Sequence, residues 1–164
     1  MISSKTKLPE LLSPAGNFEK MEAAIRFGAD AVYLSGTRFG MRAAADNFQY
    51  DDLKNAIHYC HQFGKKVYIT VNVMPRQYEF PALEGYLEEL GQLKPDGVIV
   101  ADLGVFSLCC KKIPHIPIHI STQAATVNAY SCLKWFEMGA KRIVLARELS
   151  FSDIAAIRSA VPND

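Results

Sequence analysis

The stretch Val67-Tyr68-Ile69-Thr70-Val71-Asn72 carries two alternating sets of side chains. Val67, Ile69 and Val71 share one parity; Tyr68, Thr70 and Asn72 share the other. Successive side chains of a strand point to opposite faces. An aliphatic face under helices and a polar face turned to the inside of a curved sheet is the pattern of a barrel strand. Ile118-His119-Ile120-Ser121 repeats it, with His119, Ser121 and Gln123 on the polar side. Four more short apolar runs, at residues 10–13, 31–35, 97–102 and 142–147, complete a set of six. Most are β-branched and bounded by glycine, proline or aspartate, as buried parallel strands are.

Helical patterns fill the gaps. Leu53, Ala56, Ile57 and Cys60 follow the i, i+3, i+4, i+7 spacing, and so do Leu83, Tyr86, Leu87 and Leu90. Asn17, Asp51 or Asp52, and Ser150 with Asp153 three residues on are the expected N-caps. Pro81 suits a first helical turn. Gly28, Gly64, Gly91 and Gly139 are the expected glycines just past helix ends. The order is therefore strand then helix, six times. A weak repeat supports it: residues 27–34 (FGADAVYL) echo residues 138–145 (MGAKRIVL).

Six such units fit a doubly wound sheet or most of a (β/α)8 barrel. The turn after the first strand, Ser13-Pro14-Ala15-Gly16-Asn17, lacks the GxGxxG of a dinucleotide fold. A whole barrel takes about 250 residues, and this sequence has 164. The expectation is an α/β, TIM-barrel-like chain: one (β/α)6 domain over 1–164, the incomplete barrel portion of a longer protein.

Composition narrows the class. The chain is 49% hydrophobic and 21% charged, with 18 basic and 17 acidic residues. That excludes a disordered or fibrous chain and a strongly basic nucleic-acid arm. The start, MISSKTKLPE, has no apolar leader, and no run approaches the ~18 apolar residues of a membrane helix. A cytoplasmic protein with no membrane partner is expected. Cys60, Cys109, Cys110 and Cys132 form no CxxC pair and read as reduced, mostly buried thiols rather than metal ligands.

Function belongs at the C-terminal ends of the strands in either architecture. Ser13, Ser35, Asn72, Asp102, Ser121, Gln123 and Arg147 fall there, with Asn17 just beyond the first strand. Residues 35–50 form the longest connection and carry Gly36, Arg38, Gly40, Arg42 and Asn47. Long loops in compact domains tend to be functional, and arginines there suit anion recognition. Arg147 and Glu148 close the sixth strand, either as an ion pair or as site residues. His119, inward by parity, is a core residue or a functional group. Lys65-Lys66 and Lys141-Arg142 precede strands on the opposite face, where dipole compensation and solubility are the expected roles. His58 and His61 read as surface residues. No Ser-His-Asp order, HExxH or nucleophile elbow is present, so no catalytic residue is assigned.

Residues 11–17 (LLSPAGN) and 28–34 (GADAVYL), Phe39-Gly40-Met41-Arg42-Ala43 with Asn47-Phe48, Val71-Asn72, residues 118–124 (IHISTQA) and residues 145–150 (LARELS) together resemble peptidase family U32. Members are often called collagenase-like proteases. The likeness is strongest to the branch that hydroxylates wobble uridine in tRNA, forming 5-hydroxyuridine. Other branches act on ribosomal RNA or ubiquinone precursors without oxygen. The resemblance implies a barrel-like domain, a [4Fe-4S] cluster and prephenate as hydroxyl donor for full-length members. The cluster's cysteines follow a Glu-x-Phe-x-x-Gly stretch that would begin beyond residue 164. None of the four cysteines here matches that signature, so no cofactor is expected within this chain. A dicarboxylate would suit Arg42 and Arg147, and contact with tRNA or other RNA is expected through the portion beyond residue 164. Two alternatives stand beside RNA hydroxylation. One is a peptidase, as the family name implies. The other is a non-catalytic binding module or remnant, whose exposed strand edges pair with a partner or a second copy.

Overall fold

In the computed structural model, which describes residues 8–41 and 48–162, the six apolar runs form one parallel sheet. The strands are β1 (Leu12–Pro14), β2 (Ala31–Ser35), β3 (Lys66–Val71), β4 (Gly97–Val100), β5 (Ile118–Ile120) and β6 (Arg142–Ile143). Each pairs with its neighbour in sequence, in the order β1-β2-β3-β4-β5-β6. A doubly wound sheet reverses direction partway; this one does not. It is a curled half-barrel. The curl brings Arg142 at the start of β6 back across the interior to Glu10 ahead of β1, with Nη1 2.7 Å from Oε1.

The alternation read in β3 decides which side is which. Val67, Ile69 and Val71 lie in the main core beneath the helices, as do Val32, Leu34, Val98, Val100, Ile118 and Ile120. Tyr68 packs instead with Ala31 and Ile99, and with the partly buried Leu12 and Tyr33, on the inner face. Both faces of β3 are covered, which is why five of its six residues are buried.

The helices are α1 (Phe18–Arg26), α2 (Tyr50–Gln62), α3 (Phe80–Leu93), α4 (Leu103–Lys112), α5 (Ala129–Glu137) and α6 (Phe151–Ala160). Their apolar stripes face the sheet: Leu53, Ala56, Ile57 and Cys60 of α2 are buried, as are Leu83, Tyr86, Leu87 and Leu90 of α3. Asn17 caps α1 by accepting from Lys20 N. Ser150 caps α6 in a box with Asp153. Gly28, Gly64 and Gly139 take φ of 99°, 65° and 107° just past α1, α2 and α5, the left-handed turn that glycine adopts without strain.

Three expectations change. Gln49, not Asp51 or Asp52, caps α2, and Asp52 accepts from its backbone N–H at 3.3 Å. The residue before it, Phe48, bridges Gly36 in parallel, so the chain is still extended there and turns into helix only at Tyr50. Gly91 lies inside α3, which ends at Lys94 in a left-handed conformation. A Cβ on Gly91 would stand 3.0 Å from Ile113 Cγ2, so this glycine serves close approach rather than a helix stop. The sixth run pairs as strand only over Arg142–Ile143, although Val144 N–H still donates to Ile120 O.

Candidate functional site

Polar side chains gather at the C-terminal ends of β2, β3 and β5. Asn72 follows β3 and Gln123 follows β5. Asn72 Nδ2 donates to Gln123 Oε1 at 2.6 Å. Ser121 Oγ donates to the same oxygen at 3.2 Å, so both acceptor positions of Gln123 are filled. Met41 N–H donates to Asn72 Oδ1 at 3.2 Å. Gly40 lies against the end of β2, where an added Cβ would come within 1.8 Å of Ser35 Oγ. A side chain there would force the Ser35 hydroxyl to turn away. Just beneath, Thr70 Oγ1 donates to Leu34 O at 3.3 Å.

These bonds give the cluster a direction. Met41 N–H fixes Asn72 Oδ1; the Asn72 amide N–H then meets Gln123 Oε1. The Gln123 Nε2 hydrogens are left as donors with no acceptor among the described residues, on an exposed side chain. An amide offers two donors and one doubly accepting oxygen, so the free end of this relay takes an acceptor: a carbonyl or carboxylate oxygen.

Other candidates serve elsewhere. Asn17 caps α1, and Asp102 caps α4 by accepting from Val105 N–H at 2.9 Å. Ser13 pairs with Val32, whose side chain is in the helix-side core, so alternation turns Ser13 to that side. Arg147 and Glu148 are exposed, and among the described residues they make no ion pair with each other. Arg42 and Asn47 lie outside the described residues. Arg38 does not reach the cluster: it pairs with Glu89 and stacks on Tyr86, 5.0 Å from the ring centroid.

His119 sits lower in the barrel, in a layer that sequence reading did not assemble. There Glu10 accepts from Tyr68 Oη at 2.8 Å, Lys66 Nζ at 2.8 Å and Arg142 Nη1 at 2.7 Å. Burial pushes the Glu10 carboxyl up, but the bonds from Lys66, Arg142 and Tyr68 outweigh it and hold it at about 2. His119 meets the Tyr68 ring edge to face at 4.7 Å. Gly97 makes this meeting fit, since a Cβ there would come within 3.2 Å of Tyr68 Cδ1 and 3.3 Å of His119 Cε1. Burial, helped by the nearby Arg142 charge, lowers His119 to about 4. Lys66 and Arg142 thus close the floor of the barrel instead of serving helix dipoles. Their signal was present in the sequence: both stand at strand starts on the inward parity.

The cysteines do not fit an iron–sulfur cluster. Cys60, Cys109 and Cys132 are buried on three different helices and Cys110 faces out. Burial pushes Cys60 up to about 11 and Cys109 to about 12, away from the thiolate that ligates metal. Among the described residues no group of three His, Cys, Asp or Glu side chains is placed to hold a metal ion. No helix among them is long and apolar enough to cross a membrane.

Residues 16–164 match the family model of peptidase family U32. The chain is 44% identical over 155 residues to the "tRNA hydroxylation protein P" of Helicobacter pylori, covering 94% of this chain and 37% of the relative. It is 38% identical over 156 residues to the "tRNA hydroxylation protein P1" of Bacillus subtilis, covering 95% and 37%. A 23S rRNA 5-hydroxycytidine synthase of Escherichia coli is 36% identical over 151 residues, covering 92% and 22%. The chain thus spans little more than a third of each of these two tRNA hydroxylation proteins. Among solved structures, the U32 peptidase Mk0906 superposes with a TM-score of 0.78 at 16% identity, over 99% of this chain and 69% of the other. A deoxyribose phosphate aldolase from Aeropyrum pernix superposes with a TM-score of 0.64 at 12% identity, over 92% and 67%. Both likenesses speak for the barrel fold.

Proposed function

The chain belongs to peptidase family U32, and from that membership we propose that it is the barrel portion of an enzyme that hydroxylates a base in RNA. One observation carries this: 38–44% identity to proteins named for tRNA hydroxylation, along 94–95% of the chain. The geometry supports it in a second way. The cluster of Ser35, Asn72, Ser121 and Gln123 lies at the strand ends where (β/α) barrels place their chemistry. Its outward N–H donors suit a base carbonyl or a small carboxylate. Arg147, past β6 on the same edge, would hold the carboxylate.

The peptidase reading gains no nucleophile from the site. Among the described residues no serine, threonine or cysteine side chain hydrogen-bonds a histidine, the pairing that activates a hydrolytic nucleophile.

The test is genetic and chemical. The gene is deleted in its source organism, and nucleosides from tRNA and rRNA are measured by mass spectrometry. A hydroxylated nucleoside should disappear, return with the intact gene, and fail to return with Asn72→Ala plus Gln123→Ala. An unchanged nucleoside profile in the deletion strain overturns the proposal.

A further inference from the structure

The segment that reaches into the site is held from outside the barrel. Between Ser35 and Met41 the chain passes over α3, which presents Tyr86 and, one turn on, Glu89. Tyr86 is buried, at 3% exposure, and its hydroxyl has no hydrogen-bond partner among the described residues. The Gly36 backbone rests on that hydroxyl so closely that a Cβ would come within 2.5 Å of it. Phe39 packs on the same ring, centroids 5.4 Å apart. Arg38 covers the ring at 5.0 Å and pairs with Glu89. Three residues of the loop, Gly36, Arg38 and Phe39, therefore share one aromatic anchor.

Phe39 has φ of 59°. A bulky residue rarely takes the left-handed region unless its surroundings impose it. The Tyr86 ring of α3 supplies such surroundings, beside a cavity of about 100 Å³ that opens among Gly36, Phe48, Tyr86 and Glu89. The side-chain contacts at Tyr86 and Glu89 add to the backbone bonds from Thr37 N–H to Phe48 O and from Phe48 N–H to Ser35 O in holding the segment. Immediately after Phe39 come Gly40, against Ser35, and Met41, whose N–H binds Asn72 Oδ1 at 3.2 Å.

We propose that Arg38, Tyr86 and Glu89 form an external clamp that positions residues 39–41 and thereby sets the orientation of the Asn72 and Gln123 amides. Asn72 can turn its amide by half a rotation, exchanging oxygen and nitrogen at little steric cost. Met41 N–H permits one of the two orientations, because it needs an acceptor. With Asn72 so fixed, Gln123 must present its oxygen inward and its N–H groups outward. Release of the loop removes that choice, and the site loses its preference for an acceptor ligand. Arg38, Tyr86 and Glu89 are positioning residues, not groups that meet the ligand. The consequence for RNA hydroxylation rests on the function proposed above; the clamp itself does not.

The test uses the isotopically labelled chain and nuclear magnetic resonance. Arg38 and Glu89 side chains are 49% and 43% exposed, so Arg38→Ala and Glu89→Gln disturb little of the core. Exchange of the Gly40 and Met41 amides should rise at least about tenfold in both variants, given the local opening that loss of such contacts permits. The side-chain amide signals of Asn72 and Gln123 should shift or broaden, while backbone amides of β3 and β4 hold their protection. Arg38→Lys, which keeps the charge, should recover part of the effect. Unchanged Met41 exchange and unchanged Asn72 and Gln123 signals in both variants overturn the clamp. The same variants placed in the deletion strain separate the two ideas. Altered amide signals with normal RNA hydroxylation leave the clamp standing and count against Asn72 as part of the site. Reduced hydroxylation with unaltered signals overturns the clamp and leaves the proposed function in place.

Discussion

Glu10 lies two residues before β1 and takes three donors from two other strands. Lys66 and Arg142 bring two positive charges to the barrel floor, and Glu10, with its side chain 19% exposed, is the acid that bonds to both. Removing one member of a partly buried charge cluster costs more than the cluster contributes as a whole, because the remaining charges lose their partner. Glu10→Gln keeps the shape and two of the contacts but leaves Lys66 and Arg142 repelling each other. The expected loss is about 1–3 kcal/mol, read as a lower urea midpoint with an unchanged slope. A midpoint equal to the parent's would mean that the curl of the sheet is held by strand pairing and core packing alone.

α6 shows what one cap contributes to a thinly packed element. Only Ile157 of its ten residues is buried, so little apolar burial opposes fraying. Ser150 Oγ accepts from Asp153 N–H at 3.2 Å, and the Asp153 carboxylate accepts in return from Ser150 N–H at 3.0 Å. Ser150→Ala removes half of that box, worth about 1 kcal/mol. Amides of residues 151–160 should exchange about fivefold faster, with β3 unaffected; equal rates in both proteins would show that α6 is held by α5 rather than by its cap. This cap, like Asn17, was legible because its chemistry is local: an oxygen side chain, and for α6 an acid three residues on. So were the strands whose two faces differ, β3 and β5. What stayed hidden depends on contacts distant in sequence. Glu10 and Arg142 are 132 residues apart. Arg38 looked free for an anion because its partner Glu89 lies 51 residues on, in α3. Gly91 looked like a helix stop because its neighbour Ile113 belongs to the next unit. The candidate site divides the same way. Asn72, Ser121 and Gln123 could be read from parity, whereas Met41 enters through a backbone N–H that no side-chain pattern announces. Asp102 was drawn to the site by its place at a strand end, but its carboxylate is spent on the first turn of α4.

Across the whole barrel, acid should act through the floor, where the lowered values of His119 and Glu10 give effects of the same sign. His119 is buried and faces Tyr68, with Arg142, Lys66 and Glu10 close enough to bear on its charge. Its folded value of about 4 lies below the ordinary 6.5, so the unfolded chain takes up the proton first. Above about pH 6.5 the imidazole is neutral in both states and carries no penalty. As pH falls from 6.5 to 4 stability drops, by an amount on the order of 3 kcal/mol if the full difference is felt. Glu10 adds the second limb. Its folded value of about 2 lies below 4.5, so its contribution is complete above pH 4.5 and is lost as pH falls toward 2. Urea midpoints measured from pH 7.5 to pH 3 should therefore decline in two overlapping steps, the first beginning near pH 6.5. In His119→Gln the first step should vanish while the second remains; in Glu10→Gln the reverse should hold. A first step that persists in His119→Gln would assign it to another titrating group and would remove His119 from the acid response of the floor.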